Sequence, residues 1–131
     1  MTIKLSSLAV DLQRELVGDW VEFTEWPGVA FNVSSSNKPA YAAASAMALQ
    51  KMVRRYKNKP PPPEASAEVM GGLACDHLLH GWRGLDQDYS PELARQLLCD
   101  PAYREVLGAV QWCATQIGQI EVEFVEASEK N

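Results

Sequence analysis

The chain has 131 residues, 47% of them apolar and 22% charged, which supports one folded domain with its own core and excludes a disordered chain. It carries 17 acidic against 12 basic residues, a net charge of -5, and that balance excludes a protein built to bind phosphate backbones. Met1 to Val10 has one lysine and no sustained apolar run, and the stretch around Ala40 to Leu49 is too short to span a bilayer. An intracellular protein with no membrane role is therefore expected.

In chain order, residues 5–17 predict an opening helix with Leu8, Leu12 and Leu16 on one face and Asp11, Arg14 and Glu15 outside. Gly18 stops it. Alternating apolar and polar side chains predict strands over Trp20 to Thr24 and Val29 to Val33. Trp26-Pro27-Gly28 between them has the proline-glycine centre of a type II turn. A hairpin alone is barely stable in water, so this one must pack on helices or pair with a second subunit. An alanine-rich helix follows over residues 40–57, bearing Tyr41, Ala44, Met47, Ala48, Met52 and Tyr56 at helical spacing. The basic cluster of Lys51, Arg54, Arg55, Lys57 and Lys59 complements its dipole. Pro60 to Pro63 read as an extended spacer over residues 59–66, which separates residues 1–58 from a helical half, 67–131.

A third helix is expected from about Ala67 to Trp82, with Gly84 as its stop. Ser90, with Pro91 at the first helical position and Glu92 behind it, starts a fourth helix that runs to Cys99. Asp100 and Pro101 start a fifth in the same way. Its stripe of Tyr103, Val106, Leu107, Val110, Ala114, Ile117, Ile120 and Phe124 continues for about six turns, while Gln119 to Val125 also alternates as a strand would. The fold class is α+β, mainly α-helical, with four to five helices and one N-terminal β-hairpin.

Chemistry is sparse along this chain. No Gly-x-Ser-x-Gly and no phosphate-cradling glycine loop occurs, and Gly71-Gly72 inside a helical pattern suits close packing or a bend. Cys75-Asp76-His77 and His80 hold the one cluster of metal-ligating types. Asp76 and His80 stand one predicted turn apart, too few ligands for a zinc site. Cys75, Cys99 and Cys113 are odd in number and far apart, as reduced cytoplasmic thiols are. Glu121, Glu123, Glu126 and Glu129 form a solvated acidic end. No catalytic, cofactor-binding or metal residue is assigned, and no cofactor is expected. Aromatic surface is what remains. Trp20, Phe23, Trp26 and Phe31, on a hairpin that cannot stand alone, form the candidate interface for a partner or a second copy. Trp82 is expected to pack at a corner built by Gly84, Tyr89, Ser90 and Pro91.

The order Trp-x-Gly-Leu, acidic turn, aromatic-Ser-Pro-Glu, Leu-Leu, Asp-Pro is carried by Trp82, Gly84, Leu85, Asp88, Tyr89, Ser90, Glu92, Leu97, Leu98, Asp100 and Pro101. It resembles the tail assembly chaperones of long-tailed bacteriophages and prophages, over roughly residues 75–131. Residues 1–60 do not align to that family. The resemblance implies a non-catalytic factor of the bacterial host cytoplasm. Such a factor holds the tape-measure protein soluble, acts with it and with the tail-tube protein, self-associates, and is absent from the finished virion. The rival expectation is a virion piece, such as a head-tail joining, tail-terminator or minor tail subunit. The resemblance also implies a longer form made by a minus-one ribosomal frameshift, and Glu129-Lys130-Asn131 can encode the slippery A-AAA-AAC. On residues alone, that terminus reads as a frayed helix end.

Overall fold

The computed structural model describes residues 1–126. Its elements run β1 (Thr2–Ile3), α1 (Leu12–Val17), β2 (Asp19–Glu22), β3 (Ala30–Val33), α2 (Pro39–Tyr56), α3 (Pro63–His77), β4 (Leu79–Arg83), α4 (Pro91–Leu98), α5 (Arg104–Ile117) and β5 (Phe124–Val125). Single 3-10 turns add Leu5–Leu8 and Pro101–Tyr103. The architecture is α+β and mainly helical. An antiparallel sheet of order β2-β3-β4 lies on α3 and α5, while β1 and β5 pair apart from it as a short ribbon.

The hairpin forms where its turn residues demand it. Gly28 has φ 87°, which its lack of a Cβ permits, and the Val29 N–H donates to the Trp26 carbonyl at 3.0 Å. Val21, Phe31 and Trp82 stand in register across the three strands and turn toward α5. Phe31 is fully buried, a placement that contributes about 1.5–3 kcal/mol. Beneath it lie Val110, Cys113, Ala114 and Ile117 of α5 and Leu78 at the end of α3. Gly71 lets α3 and α4 approach backbone to backbone, because a Cβ there would run into the Leu98 carbonyl.

Four boundaries differ from the sequence expectation. The predicted helix ending on Trp82 stops at His77, and Leu79–Arg83 is a strand that covers the open edge of β3. Leu78 and Trp82 are spaced as on a helix, but the register skips His80 in a bulge against Asn32 and Val33. Sheet pairing wins over that local pattern, and Gly81 weakens a helix there further. The edges left unpaired are those of β2 and β4, not β3.

The opening helix is in two pieces. Asp11 accepts the Arg14 N–H at 3.1 Å and restarts the chain as α1. Leu8, Leu12 and Leu16 are exposed, and Glu15 is the residue α1 buries. The proline spacer is shorter than residues 59–66, since Pro63 opens α3, where its missing N–H costs nothing. Finally, α5 ends at Ile117 before Gly118, and Phe124 belongs to β5, the strand alternative of that stretch. Glu129-Lys130-Asn131 lies outside the described residues.

Candidate partner-binding surface

The four hairpin aromatics separate onto different surfaces. Phe31 and Phe23 belong to the core. Trp20 stays 39% exposed, on the face of the sheet opposite Val21 and Phe31. It lies over Gly81, where an added Cβ would be in ordinary contact with the ring at 3.7 Å, and the Arg83 guanidinium stacks 4.6 Å from its ring centroid.

Trp26 is half-buried on the other side. The turn at Pro27-Gly28 brings its ring edge-on to Phe23 at 4.8 Å, and Phe23 meets Trp112 of α5 in the same geometry at 5.6 Å. These three rings, with Thr24, Glu25, Glu105, Gly108 and Ala109, line a cleft of about 550 Å³. Glu25 and Glu105 are exposed at its rim. Among the described residues neither takes part in an ion pair, whereas Asp19, Asp76 and Glu123 each do, with Arg14, Arg95 and Lys4. Gly108 lines the cleft from the exposed side of α5, where an added Cβ would meet nothing within 4 Å. A glycine inside a helix costs about 0.8–1.0 kcal/mol against alanine, and no neighbour in the fold requires one here. Trp112, Glu105 and Gly108 were not singled out from sequence. Two signals were available: a tryptophan off the Val106-Val110-Ile117 stripe, and a glycine inside that helix.

The predicted corner assembles around Trp82, which is 7% exposed. Its Nε1–H donates to the Gln87 carbonyl at 2.8 Å, and Tyr89 packs edge-on at 5.1 Å. Gly84 takes φ 91° where a Cβ would strike the Gly28 carbonyl, tying the corner to the hairpin turn. Ser90 Oγ accepts the Leu93 N–H at 3.1 Å, with Pro91 next in the helix.

A polar hub joins the N-terminal arm to this body. Glu15 accepts from Ser35 Oγ at 3.0 Å and Asn37 Nδ2 at 3.2 Å, and Ser35 is fully buried. Ser34 Oγ, also buried, lies 3.1 Å from the Leu16 carbonyl and 2.6 Å from His80 Nε2. His80 therefore does not stand with Asp76 on one helix, and Asp76 is engaged by Arg95. No group of three or more metal-ligating side chains converges among the described residues.

Burial raises the Cys75 and Cys113 thiols to about 11, and it also raises Cys99, so none of the three is a ready thiolate. Burial, then the nearby Lys38 charge, lowers His80.

Apolar surface concentrates on the arm: Leu5, Leu12, Leu16 and Val17 are exposed, and across the β1–β5 ribbon Val122 and Phe124 are too. No helix of the described residues is long and apolar enough to cross a membrane.

A family model described as YdaY prophage protein matches residues 35–131. No curated protein and no solved structure matches the chain. The match spans α2 to the end and includes Trp82 and Trp112, while Trp20, Phe23 and Trp26 precede it.

Proposed function

The chain belongs to the YdaY prophage protein family, and from that premise we propose that it is a non-catalytic tail assembly chaperone. In this reading it holds a tape-measure protein soluble in the cytoplasm of the bacterial host, promotes tail-tube assembly, and leaves before the virion is complete. Self-association through its apolar arm belongs to the same proposal.

One observation carries the reading. In α1 the polarity is inverted: Leu12 is 68% exposed while Glu15 is 6% exposed. Isolated apolar residues at a surface need no explanation, but an arm of them, held in place by buried hydrogen bonds, suits a surface kept for a partner. Long apolar helices aggregate unless covered. A small helical protein with a net charge of -5 can cover them and keep the complex in solution.

Co-expression with the tape-measure protein of the same prophage tests this directly. The expected result is a tape-measure protein that moves from the pellet to the soluble fraction when the chain is present. Mass spectrometry of purified particles is expected to find the chain absent. Stoichiometric presence in particles would overturn the chaperone and favour a head-tail joining or tail-terminator subunit.

A further inference from the structure

We propose that the cleft between the hairpin turn and α5 binds a cationic side chain, an arginine or lysine presented by a partner polypeptide. The proposal rests on the reading of the chain as a partner-holding protein and names the chemistry of one of its contacts.

Two features converge on a cation. The first is the wall: Trp26, Trp112 and buried Phe23 line one cleft, and indole is the best aromatic partner for a guanidinium or ammonium. The second is charge. Glu25 comes from the turn and Glu105 from α5, and the residues that line the cleft include no lysine or arginine. Arg104, next in sequence to Glu105, lines a separate groove with Pro63 and Leu107. Both carboxylates are exposed, and among the described residues neither has an ion-pair partner in the fold.

Gly108 lines the same cleft from the exposed side of α5, so a bulky side chain placed there would enter it. A volume of about 550 Å³ has room for an arginine side chain with part of the helix that presents it. The Arg83–Trp20 stack shows a guanidinium already held on an indole face elsewhere in this fold. Phosphate-bearing ligands are repelled by the same two carboxylates.

The test uses the full chain and a helical alanine-leucine peptide with one central arginine. Two companions replace that arginine with norleucine or glutamate. Tryptophan fluorescence and calorimetry should show the arginine peptide binding at least tenfold more tightly than either companion. Added salt should weaken the arginine peptide alone. Glu25→Gln with Glu105→Gln should cost the arginine peptide at least tenfold and leave the norleucine peptide unchanged. Gly108→Leu should abolish binding with an unchanged circular dichroism spectrum, while Gly108→Ala keeps it.

Equal binding of the arginine and norleucine peptides would overturn the proposal, as would indifference to the double glutamine variant or no binding at millimolar peptide. Free choline competing as well as the peptide would also overturn it, in favour of a small-molecule site. No tape-measure protein enters the titration. A chain that solubilises that protein yet ignores arginine sinks the cleft and spares the chaperone; the opposite pair of results sinks the chaperone alone.

Discussion

Helices α1 and α5 turn their apolar side chains in opposite directions. Helix α5 buries Ala109, Val110, Cys113, Ala114 and Ile117 and leaves Glu105 and Thr115 outside, the ordinary arrangement for a helix on a core. Helix α1 buries Glu15 and exposes Leu12, Leu16 and Val17. The arm is therefore placed by directional bonds, and the body by area removed from water. The two regions divide the labour. Losses in the body should unfold the chain, and changes on the arm should leave it folded and reach only what binds it.

The sharpest break of that comparison sets Trp82→Ala against Leu12→Ser with Leu16→Ser. Trp82 fills the corner under Tyr89, so its truncation is expected to cost about 3–5 kcal/mol in urea unfolding. The paired serine variant should move stability by no more than about 0.5 kcal/mol, yet lower the amount of tape-measure protein kept soluble. If the serine pair unfolds the chain as Trp82→Ala does, the arm belongs to the core and the division fails.

The same contrast explains what could be read from the sequence. Local punctuation was legible: Gly18, Pro27-Gly28, Ser90-Pro91 and Asp100-Pro101 all stand where backbone chemistry puts them, and with them the α+β, mainly helical class. Long-range pairing was not. Nothing in Leu79–Arg83 announces β3 as its neighbour, and the bulge at His80 gives Leu78 and Trp82 a helical spacing. The stripe of Leu8, Leu12 and Leu16 misled for a different reason. Periodicity finds the apolar face of a segment but does not say whether the chain itself covers it. The cleft was half legible. Phe23 and Trp26 drew notice on the hairpin, but Trp112 and Glu105 meet them only through the packing of α5.

Glu15→Ala removes the hub's carboxylate acceptor, while the Ser35 N–H bond to the residue 15 carbonyl and the Ser34–Leu16 bond remain. Ser35 Oγ–H and Asn37 Nδ2–H lose their acceptor beside Gly118, where a Cβ would crowd Glu15 and Asn37. Ser35 is the buried one of the two, and a buried donor left without a partner costs about 1–3 kcal/mol, less than the Trp82 cavity. Limited proteolysis should then cut within residues 1–17 faster than in the parent chain. Unchanged cleavage would mean that the Glu15 carboxylate does not secure the arm, and that the remaining hub bonds and the β1–β5 ribbon do.

The smallest effect expected is a dependence on pH through His80. Its bond network closes when the imidazole is neutral with its proton on Nε2: His80 then donates to Ser34, and Ser34 donates to the Leu16 carbonyl. Burial and, next, the Lys38 charge hold the folded-state pKa below the ordinary 6.5. The unfolded chain therefore takes up a proton first as pH falls through 6.5, and stability drops until the folded imidazole is protonated too. Above that window His80 contributes no slope. Asp19, held below 3.8 by its Arg14 bond and the Trp20 N–H, loses its contribution only under more acid conditions, so the two do not overlap. Urea midpoints measured from about pH 7.5 to about pH 5.5 should fall in the parent chain and flatten in His80→Asn. The accompanying loss should show first as cleavage of the arm, since the Ser34 bond joins Leu16 to β4. A slope that survives His80→Asn would place the titrating group elsewhere and remove His80 from the hub that sets arm against body.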